Sequence, residues 1–188
     1  MAKQYDSLDG KTRDFLLRQH IFFTASATDT SRVNISPREI GALRILDDNT
    51  VVYLDRTGSG NETAAHMLAD GRMTIMTCSF EGPPLILRLY GSGTAIPWGT
   101  DVFNTIIAEH YDGHCPLGAR QLMQLKFDLV QTSCGYGVPL FSYEGERQAI
   151  ENWHDAKGPQ GVVDYWKKEN LHSIDGLPTG IKLSLEEN

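Results

Sequence analysis

Short β-rich runs separated by turn residues recur through most of the chain, and they constrain its fold more than any other feature. In the run RVNIS the side chains alternate, so Val33 and Ile35 share one face while Arg32, Asn34 and Ser36 share the other. Other runs of this kind are HIFFTASA, ALRIL, TVVYLDR, MTIMTCSF, LILRLYGSGTAI and LMQLKFDLVQTSC, and the start of the last run fits either a helix or a strand. They do not alternate regularly with helical segments, and no GxGxxG motif accompanies them. The pattern therefore disfavours a doubly wound parallel sheet and favours an antiparallel β-barrel of the α+β class.

Helical segments are inserted among these strands and also follow them. The pattern predicts a short helix over Asp9–Arg18, a second from about Asn61 to Asp70, and a third in TDVFNTIIAEHY. The tail from Gly145 predicts two helices, around ENWHDAK and VVDYWKKENL, with the breaker GPQG between them. Residues 1–188 are therefore predicted to form one domain, with a barrel over about 15–141 and a helical extension over about 145–188.

Composition and charge argue against several classes of protein. The 188 residues are 40% hydrophobic and 22% charged, and the formal net charge of −7 argues against a broad basic face for nucleic acid. The N-terminal stretch MAKQYDSLDGKTRDFLLRQH lacks a long apolar run, so neither a secretory signal nor a membrane span is expected. The three cysteines, Cys78, Cys115 and Cys134, show no CxxC spacing, which favours a reducing cytoplasm over a disulfide framework.

The stretch TGSGNETAAHM, between a predicted strand and a predicted helix, is a candidate binding loop. Ser59 and Glu62 have the spacing of a capping box, with Asn61 as the competing N-cap, so a helix begins here in either case. The first N–H groups of a helix lack carbonyl partners and favour an anion, and Gly58 and Gly60 allow close approach to the backbone. The alternative is a capped corner that binds nothing, because most capped helices have no ligand.

Three arginines bear on the choice between these alternatives. Arg56 directly precedes the loop, and Arg32 lies on the polar face of an earlier strand. Either guanidinium could pair with phosphate oxygens through its planar fork. Arg88 shares a strand face with Ile86 and Tyr90, and it belongs either to a solvated outer face or to a ligand groove.

A second cluster of reactive side chains gives a weaker signal. The segment EHYDGHC places His110, Asp112, His114 and Cys115 together, and these are metal-ligand residue types. The glycine before His114 and the proline at Pro116 break the helix there, so a polar helix end is favoured over a metal site. No G-x-S-x-G motif marks a nucleophilic serine.

Three segments in order, RVNIS, TVVYLDRTGSGNETAAHMLADGRMTIM and CSFEGPPLILRLYGSG, together resemble the pyridoxamine 5′-phosphate oxidase-like family of flavin-binding split barrels. The similarity runs from about Phe15 to Phe141. It implies a six-stranded antiparallel split β-barrel of Greek-key topology with flanking helices. It also implies a homodimer that holds flavin mononucleotide (FMN) in grooves between its subunits.

The resemblance further implies which residues contact FMN. They belong to a strand beside the phosphate and ribityl chain, a strand end beside the ring, the phosphate loop, a further strand near the ring, and a barrel-edge segment that covers the ring. In chain order these are Arg32, Val33, Asn34 and Ser36; Leu54, Asp55, Arg56 and Thr57; Ser59, Gly60, Asn61, Glu62 and Thr63; Arg88; and Tyr136 and Gly137.

The chain departs from the oxidases of that family at three places. They have a lysine five positions after the strand arginine, where this chain has Pro37 followed by Arg38 as a substitute cation. Their phosphate loop carries an Arg-Lys pair, where this chain has Gly60 and Asn61. Their tryptophan- and arginine-rich ending, which grips pyridoxal phosphate, is replaced by LPTGIKLSLEEN. The resemblance therefore implies flavin binding that relies on backbone N–H groups, and it does not extend to oxidation of pyridoxamine phosphate.

Two functions are predicted on this basis. The first is an FMN-dependent oxidoreductase with a small-molecule electron donor or substrate, in which the flavin carries the redox chemistry and no side chain is nominated as catalytic. The second is a protein that binds flavin, or another planar cofactor such as a deazaflavin or haem, without turnover. Reduction of bound flavin by NADH or NADPH distinguishes the two.

Overall fold

One curled antiparallel sheet dominates the computed structural model, which describes residues 2–181. The strands of this described part are β1 (Lys3–Tyr5), β2 (Ile21–Ser26), β3 (Asn34–Glu39), β4 (Leu43–Ile45), β5 (Thr50–Arg56), β6 (Arg72–Cys78), β7 (Ile86–Pro97) and β8 (Ala119–Ser133). Their order is β3-β2-β6-β7-β8-β5-β4, with β1 paired to β8. The predicted antiparallel sheet is confirmed. Six strands have six or more residues, the three-residue strand β4 corresponds to the predicted run ALRIL, and β1 lies outside the predicted runs.

Four α-helices accompany the sheet in residues 2–181. They are α1 (Gly10–Leu17), α2 (Glu62–Ala69), α3 (Asp101–His110) and α4 (Ala149–Glu169). Asn61 is the N-cap of α2, which confirms the second of the two predicted caps. The predicted capping box of Ser59 and Glu62 is wrong. Within α4, Gly158 has non-helical angles (φ 66°), which confirms the predicted break between two helical pieces.

The main apolar core joins the sheet to α1, α2 and α3. Phe22, Tyr53 and Leu122 are all completely buried in it. Each such side chain contributes about 1.5–3 kcal/mol through its removal from water. Because β5 lies between β4 and β8 and buries its first six residues, the end of β5 is rigidly held.

The long pair β7–β8 contains the bulge that the glycines of LILRLYGSGTAI predicted. Its register shifts between Tyr90 and Gly91. A Cβ atom on Gly91 would lie 2.0 Å from the carbonyl oxygen of Lys126, so a larger residue cannot fit without moving the backbone.

Helix α4 is anchored where β5 ends and β8 begins. Trp166 packs with Val162 and Ile181 in a second apolar cluster, and its Nε1 donates a hydrogen bond to Thr57 Oγ1 at 2.7 Å. His154, also fully buried, lies against Gly118, where a Cβ atom would be 2.0 Å from its Nε2. The helical extension therefore packs onto the end of the sheet that carries the predicted binding loop.

Candidate anion-binding site

A cavity of about 810 Å³ opens beside the end of β5. Its walls are β3 with the residues just before it, the loop over 58–61, the start of α2, the start of β8, and the segment 169–174 that follows α4. Its volume lies within the range of roughly 300–1,000 Å³ that is typical of small-molecule and cofactor sites.

A buried carboxylate held by two arginines forms the floor of this cavity. Asp55 is completely buried and accepts hydrogen bonds from Arg38 Nη1, Arg120 Nε and Gln121 Nε2, each at 2.7 Å. Asp55 lies directly opposite Gln121, and the register then shifts so that Arg56 pairs with Ala119. Arg120 is thus the extra residue of a bulge, which allows two consecutive side chains of β8 to reach one carboxylate.

The three charged groups on the floor carry a net charge of +1, because two guanidinium groups face one carboxylate. Burial alone would raise the pKa of Asp55, but the charges of Arg120 and Arg38 outweigh it and hold the pKa below its ordinary value of 3.8. Burial would lower the pKa of Arg38, yet the negative charge of Asp55 raises it overall. Asp55 is therefore ionised at neutral pH between two guanidinium groups. The other charged residues that line the cavity are Arg32, Glu62 and Glu169, so the surplus positive charge is local to the floor, where it favours an anionic ligand.

Side-chain amides fix the loop above this floor. Gln121 Nε2 also donates to Asn61 Oδ1 at 2.7 Å, and Arg120 Nη1 donates to Asn170 Oδ1 at 2.9 Å. Asn170 Nδ2 in turn donates to the carbonyl oxygen of Gly58 at 3.1 Å. Because Asn61 is the N-cap of α2, these bonds hold the first turn of the helix, with its unpaired N–H groups, against the cavity.

Strand β3 supplies the wall that faces the loop. Its polar residues Asn34 and Ser36 line the cavity, and Asn34 Nδ2 donates to Thr63 Oγ1 at 3.1 Å. Val33 and Ile35 are 69% and 65% exposed. The predicted alternation along RVNIS therefore places Asn34 and Ser36 at the cavity and Ile35 in solvent, while Val33, directly before β3, is exposed at the edge of the cavity.

The segment after α4 closes the remaining side. The Glu62 carboxylate accepts the backbone N–H of Ile174 at 3.0 and 3.1 Å to its two oxygens. Asp175 accepts hydrogen bonds from the backbone N–H of Arg32, at 2.8 Å, and from the Arg32 guanidinium. Arg32, predicted to meet a phosphate, therefore has an internal carboxylate as its partner.

Most of the predicted contact residues meet at this cavity. The ten that line it are Arg32, Val33, Asn34, Ser36, Asp55, Ser59, Gly60, Asn61, Glu62 and Thr63. Two more, Leu54 and Arg56, line a separate cavity of about 330 Å³, where Arg56 pairs with Glu151 at 2.6 Å. Thr57 is buried beneath the loop and donates to the carbonyl oxygen of Gly118 at 2.9 Å.

The remaining three predicted residues lie away from the cavity. Arg88, on β7, donates to Ser133 Oγ at 3.2 Å. Tyr136 and Gly137 are exposed in the segment that follows β8. Their contact with a ligand stays a prediction.

Four residues of the floor and loop were not predicted as cofactor contacts from the sequence. Arg38 was considered only as a substitute for the family lysine, and Arg120, Gln121 and Asn170 were not considered. One sequence signal exists for two of them: Arg120 and Gln121 are polar residues at the start of the apolar run LMQLKF.

The potential metal ligands of the segment EHYDGHC do not lie together in the structure. Helix α3 ends at His110, and Asp112 has a left-handed backbone (φ 53°), so His110 and His114 do not share a helix face. No group of three or more His, Cys, Asp or Glu side chains in residues 2–181 is arranged to hold a metal ion.

Comparison with known proteins identifies the family. Residues 8–134 match the sequence profile described as pyridoxamine 5′-phosphate oxidase. The chain belongs to the pyridoxamine 5′-phosphate oxidase family. The family protein ustO of Aspergillus flavus is 39% identical over 190 residues, which span 93% of this chain and 76% of ustO.

Solved structures confirm the split-barrel fold for this member of the pyridoxamine 5′-phosphate oxidase family. HupZ of Group A Streptococcus aligns with a TM-score of 0.52 and 16% identity, over 65% of this chain and 92% of HupZ. A candidate pyridoxamine 5′-phosphate oxidase from Lactobacillus delbrueckii aligns with a TM-score of 0.52 and 13% identity, over 67% and 94% of the two chains. No helix within residues 2–181 combines the length and the apolar composition needed to cross a membrane.

Proposed function

We propose that this member of the pyridoxamine 5′-phosphate oxidase family binds FMN in the 810 Å³ cavity and acts as a cytoplasmic, flavin-dependent oxidoreductase on a small molecule. The observation that carries the proposal is the surplus positive charge of Arg38, Asp55 and Arg120 beside the first turn of α2. One buried and one half-buried guanidinium next to free helix N–H groups suit a phosphate monoester.

The residues present fit FMN in three respects. Arg38 Nε is buried and has no hydrogen-bond partner among the described residues, so a ligand oxygen could satisfy it. Asn34 and Ser36 offer an amide and a hydroxyl along β3, which suit the hydroxyl groups of a ribityl chain. Gly58 and Gly60 leave the loop backbone accessible.

When bound, FMN would supply the hydride and electron transfer. The chain would neutralise the phosphate through Arg38 and Arg120, together with Arg32 in the same cavity, and would orient the sugar chain along β3. Because its pKa is lowered, Asp55 stays ionised and holds the two arginines in place; it does not exchange protons with a substrate.

The proposal includes a homodimer. β3 is an edge of the sheet in the described residues, and apolar side chains are exposed on it at Ile35 and directly before it at Val33. Exposed apolar residues on an edge strand are typical of a covered interface. Because the opposite face of β3 walls the cavity, a partner on this strand would lie close to the ligand.

Flavin binding without turnover is the second candidate. The observation that favours it is that Arg38, Asp55, Arg120 and Gln121 are all hydrogen-bonded within one network. Such a network would hold a bound ligand in one fixed orientation. Mixing the FMN complex with NADH or NADPH under anaerobic conditions separates the two candidates: loss of the flavin absorption supports the oxidoreductase, and persistent absorption supports the carrier or sensor.

Titration with FMN tests the proposed cofactor. We expect quenching of flavin fluorescence with a Kd of about 1 µM or below, which corresponds to about −8 kcal/mol. Arg120→Met should weaken binding by about tenfold or more, because hydrogen bonds to charged groups are each worth about 1.5–3 kcal/mol. Arg120→Lys, which retains the charge, should recover part of the loss.

Arg72→Met is the matched control, because Arg72 is exposed at the start of β6, lies outside the cavity lining and forms its ion pair with Asp70. It should bind FMN as the wild type does. Melting temperatures of all variants show that each is folded at the temperature of the titration. Absence of FMN binding by the folded wild type, or equal binding by wild type and Arg120→Met, refutes the proposed site.

A further inference from the structure

The segment after α4 forms a small hairpin whose two ends are buried and whose tip is not. Thr179 Oγ1 donates to the carbonyl oxygen of Asn170 at 2.6 Å, and both residues are buried. Between them, Ser173 N–H donates to the carbonyl oxygen of Leu177 at 2.8 Å, which closes the turn. The tip residue Ile174 is 74% exposed. We call residues 171–179 the C-terminal hairpin.

The tip of the C-terminal hairpin is held over the cavity by two polar contacts. One is the bond from the Ile174 N–H to Glu62, and the other is the pairing of Asp175 with Arg32. The Arg32 side chain is 74% exposed, so water screens its ion pair with Asp175. Screened pairs of this kind contribute little stability, so release of the tip costs mainly its two backbone contacts, from the Arg32 N–H to Asp175 and from the Ile174 N–H to Glu62.

Asp175 meets Arg32 in the way that a phosphate would. One carboxylate oxygen accepts the backbone N–H of Arg32 at 2.8 Å, and the other accepts from the guanidinium. The backbone hydrogen bond from Arg32 is the main cause that holds the pKa of Asp175 below its ordinary value, so Asp175 carries a full negative charge at neutral pH.

We propose that Asp175 is a built-in competitor for the phosphate of the ligand, so that the C-terminal hairpin is a gate that a phosphate-bearing ligand opens. This inference rests on the proposed function, since it concerns the same cavity. A phosphate that enters the cavity competes with Asp175 for Arg32, and its negative charge repels both Asp175 and Glu62. Binding therefore favours the state in which Arg32 is released to the ligand.

The competitor makes the site selective for charge. A ligand that lacks a phosphate does not compete for Arg32, so Asp175 neither hinders nor helps it. FMN and riboflavin carry the same ring and sugar chain and differ only in the phosphate. They are therefore the matched ligands for a test.

The experiment compares FMN and riboflavin binding to the full chain and to Asp175→Asn. Removal of the charge should tighten FMN binding about two- to fivefold, the range expected for one exposed ion pair, and should leave riboflavin binding unchanged. In an Arg32→Met background the same change should tighten FMN binding less, because the contested guanidinium is absent and only the repulsion between Asp175 and the phosphate is relieved. Asp128→Asn removes an exposed carboxylate on β8 that does not line the cavity, and it should behave as the wild type does.

Each outcome decides the inference. Tighter FMN binding alone supports it. Equal FMN binding, or a parallel change for riboflavin, overturns the competition while leaving the proposed cofactor intact. If no protein binds FMN, the proposed function fails, and the inference is then decided with inorganic phosphate: a larger rise in melting temperature for Asp175→Asn than for the wild type supports it, and equal rises overturn it.

Discussion

The buried carboxylate at the floor of the cavity gives the sharpest prediction. Asp55→Asn keeps the shape of the side chain but removes the only charge that offsets Arg38 and Arg120 within the triad. The new amide also presents a donor where three donors converge, so at least one hydrogen bond is lost. Removing one partner of a buried ion pair destabilises a protein by about 3–5 kcal/mol. We expect a loss of that size in the free energy of unfolding.

Urea denaturation followed by circular dichroism measures this loss directly. In a thermal melt, each kcal/mol lowers the midpoint by about 2–4 °C for a domain of this size, so the total fall should be about 6–20 °C. Asp128→Asn, an exposed change of the same chemistry, should alter stability by no more than about 0.5 kcal/mol.

The pH dependence of the free energy of unfolding tests whether the charge of Asp55 is the cause of this loss. The pKa of Asp55 is lower in the folded protein than its ordinary value of 3.8, so its contribution is complete above that pH and is lost as the pH falls through the lower folded value. The stabilities of wild type and Asp55→Asn should therefore converge in acid. A loss below about 1 kcal/mol at neutral pH would refute the assignment of a buried, ionised triad.

Two further predictions concern the packing around the site. Burial is the main cause that lowers the pKa of His154 below 6.5. The contribution of neutral His154 to stability is therefore complete above about pH 6.5 and is lost as the pH falls below it. In His154→Gln the melting temperature should change less between about pH 6.5 and pH 5 than in the wild type, and an equal change would contradict this. Gly91→Ala should lower the free energy of unfolding, measured in urea, by about 3 kcal/mol or more, because its Cβ atom would overlap the Lys126 carbonyl oxygen. Gly10→Ala in α1, where a Cβ atom has nothing within 4 Å, should be neutral or stabilising. Equal effects of the two changes would contradict the overlap.

Local patterns in the sequence were sufficient for the elements of the fold. Alternation identified the strands, and the breaker after Lys157 identified the bend at Gly158. The bulge at Gly91 followed from two glycines in an otherwise apolar strand. These features depend on residues close together in the chain, and single-sequence patterns report such features well. Of the two three-residue strands, β4 was visible as the run ALRIL, whereas β1 was too short to leave a pattern.

The chemistry of the site was only partly predictable. The loop and β3 carry local signals, since a glycine-rich turn before a helix and an alternating strand are both visible in the sequence. The floor depends on contacts between distant positions: Asp55 meets Arg120 only because β5 and β8 pair with a bulge at that point. The pairing of Arg32 with Asp175 spans an even longer separation and leaves no local trace.

The position of Asn170 in the chain determines the stage of synthesis at which the cavity is completed. Asn170 holds both Arg120 and the Gly58 carbonyl, and it is translated long after either. A nascent chain that ends before it has the complete sheet, yet its arginine pair is still open on one side. If FMN binds in this cavity as proposed, its capture would therefore come late in biosynthesis, because a chain stalled within α4 lacks the side of the cavity that Asn170 and the segment after it form.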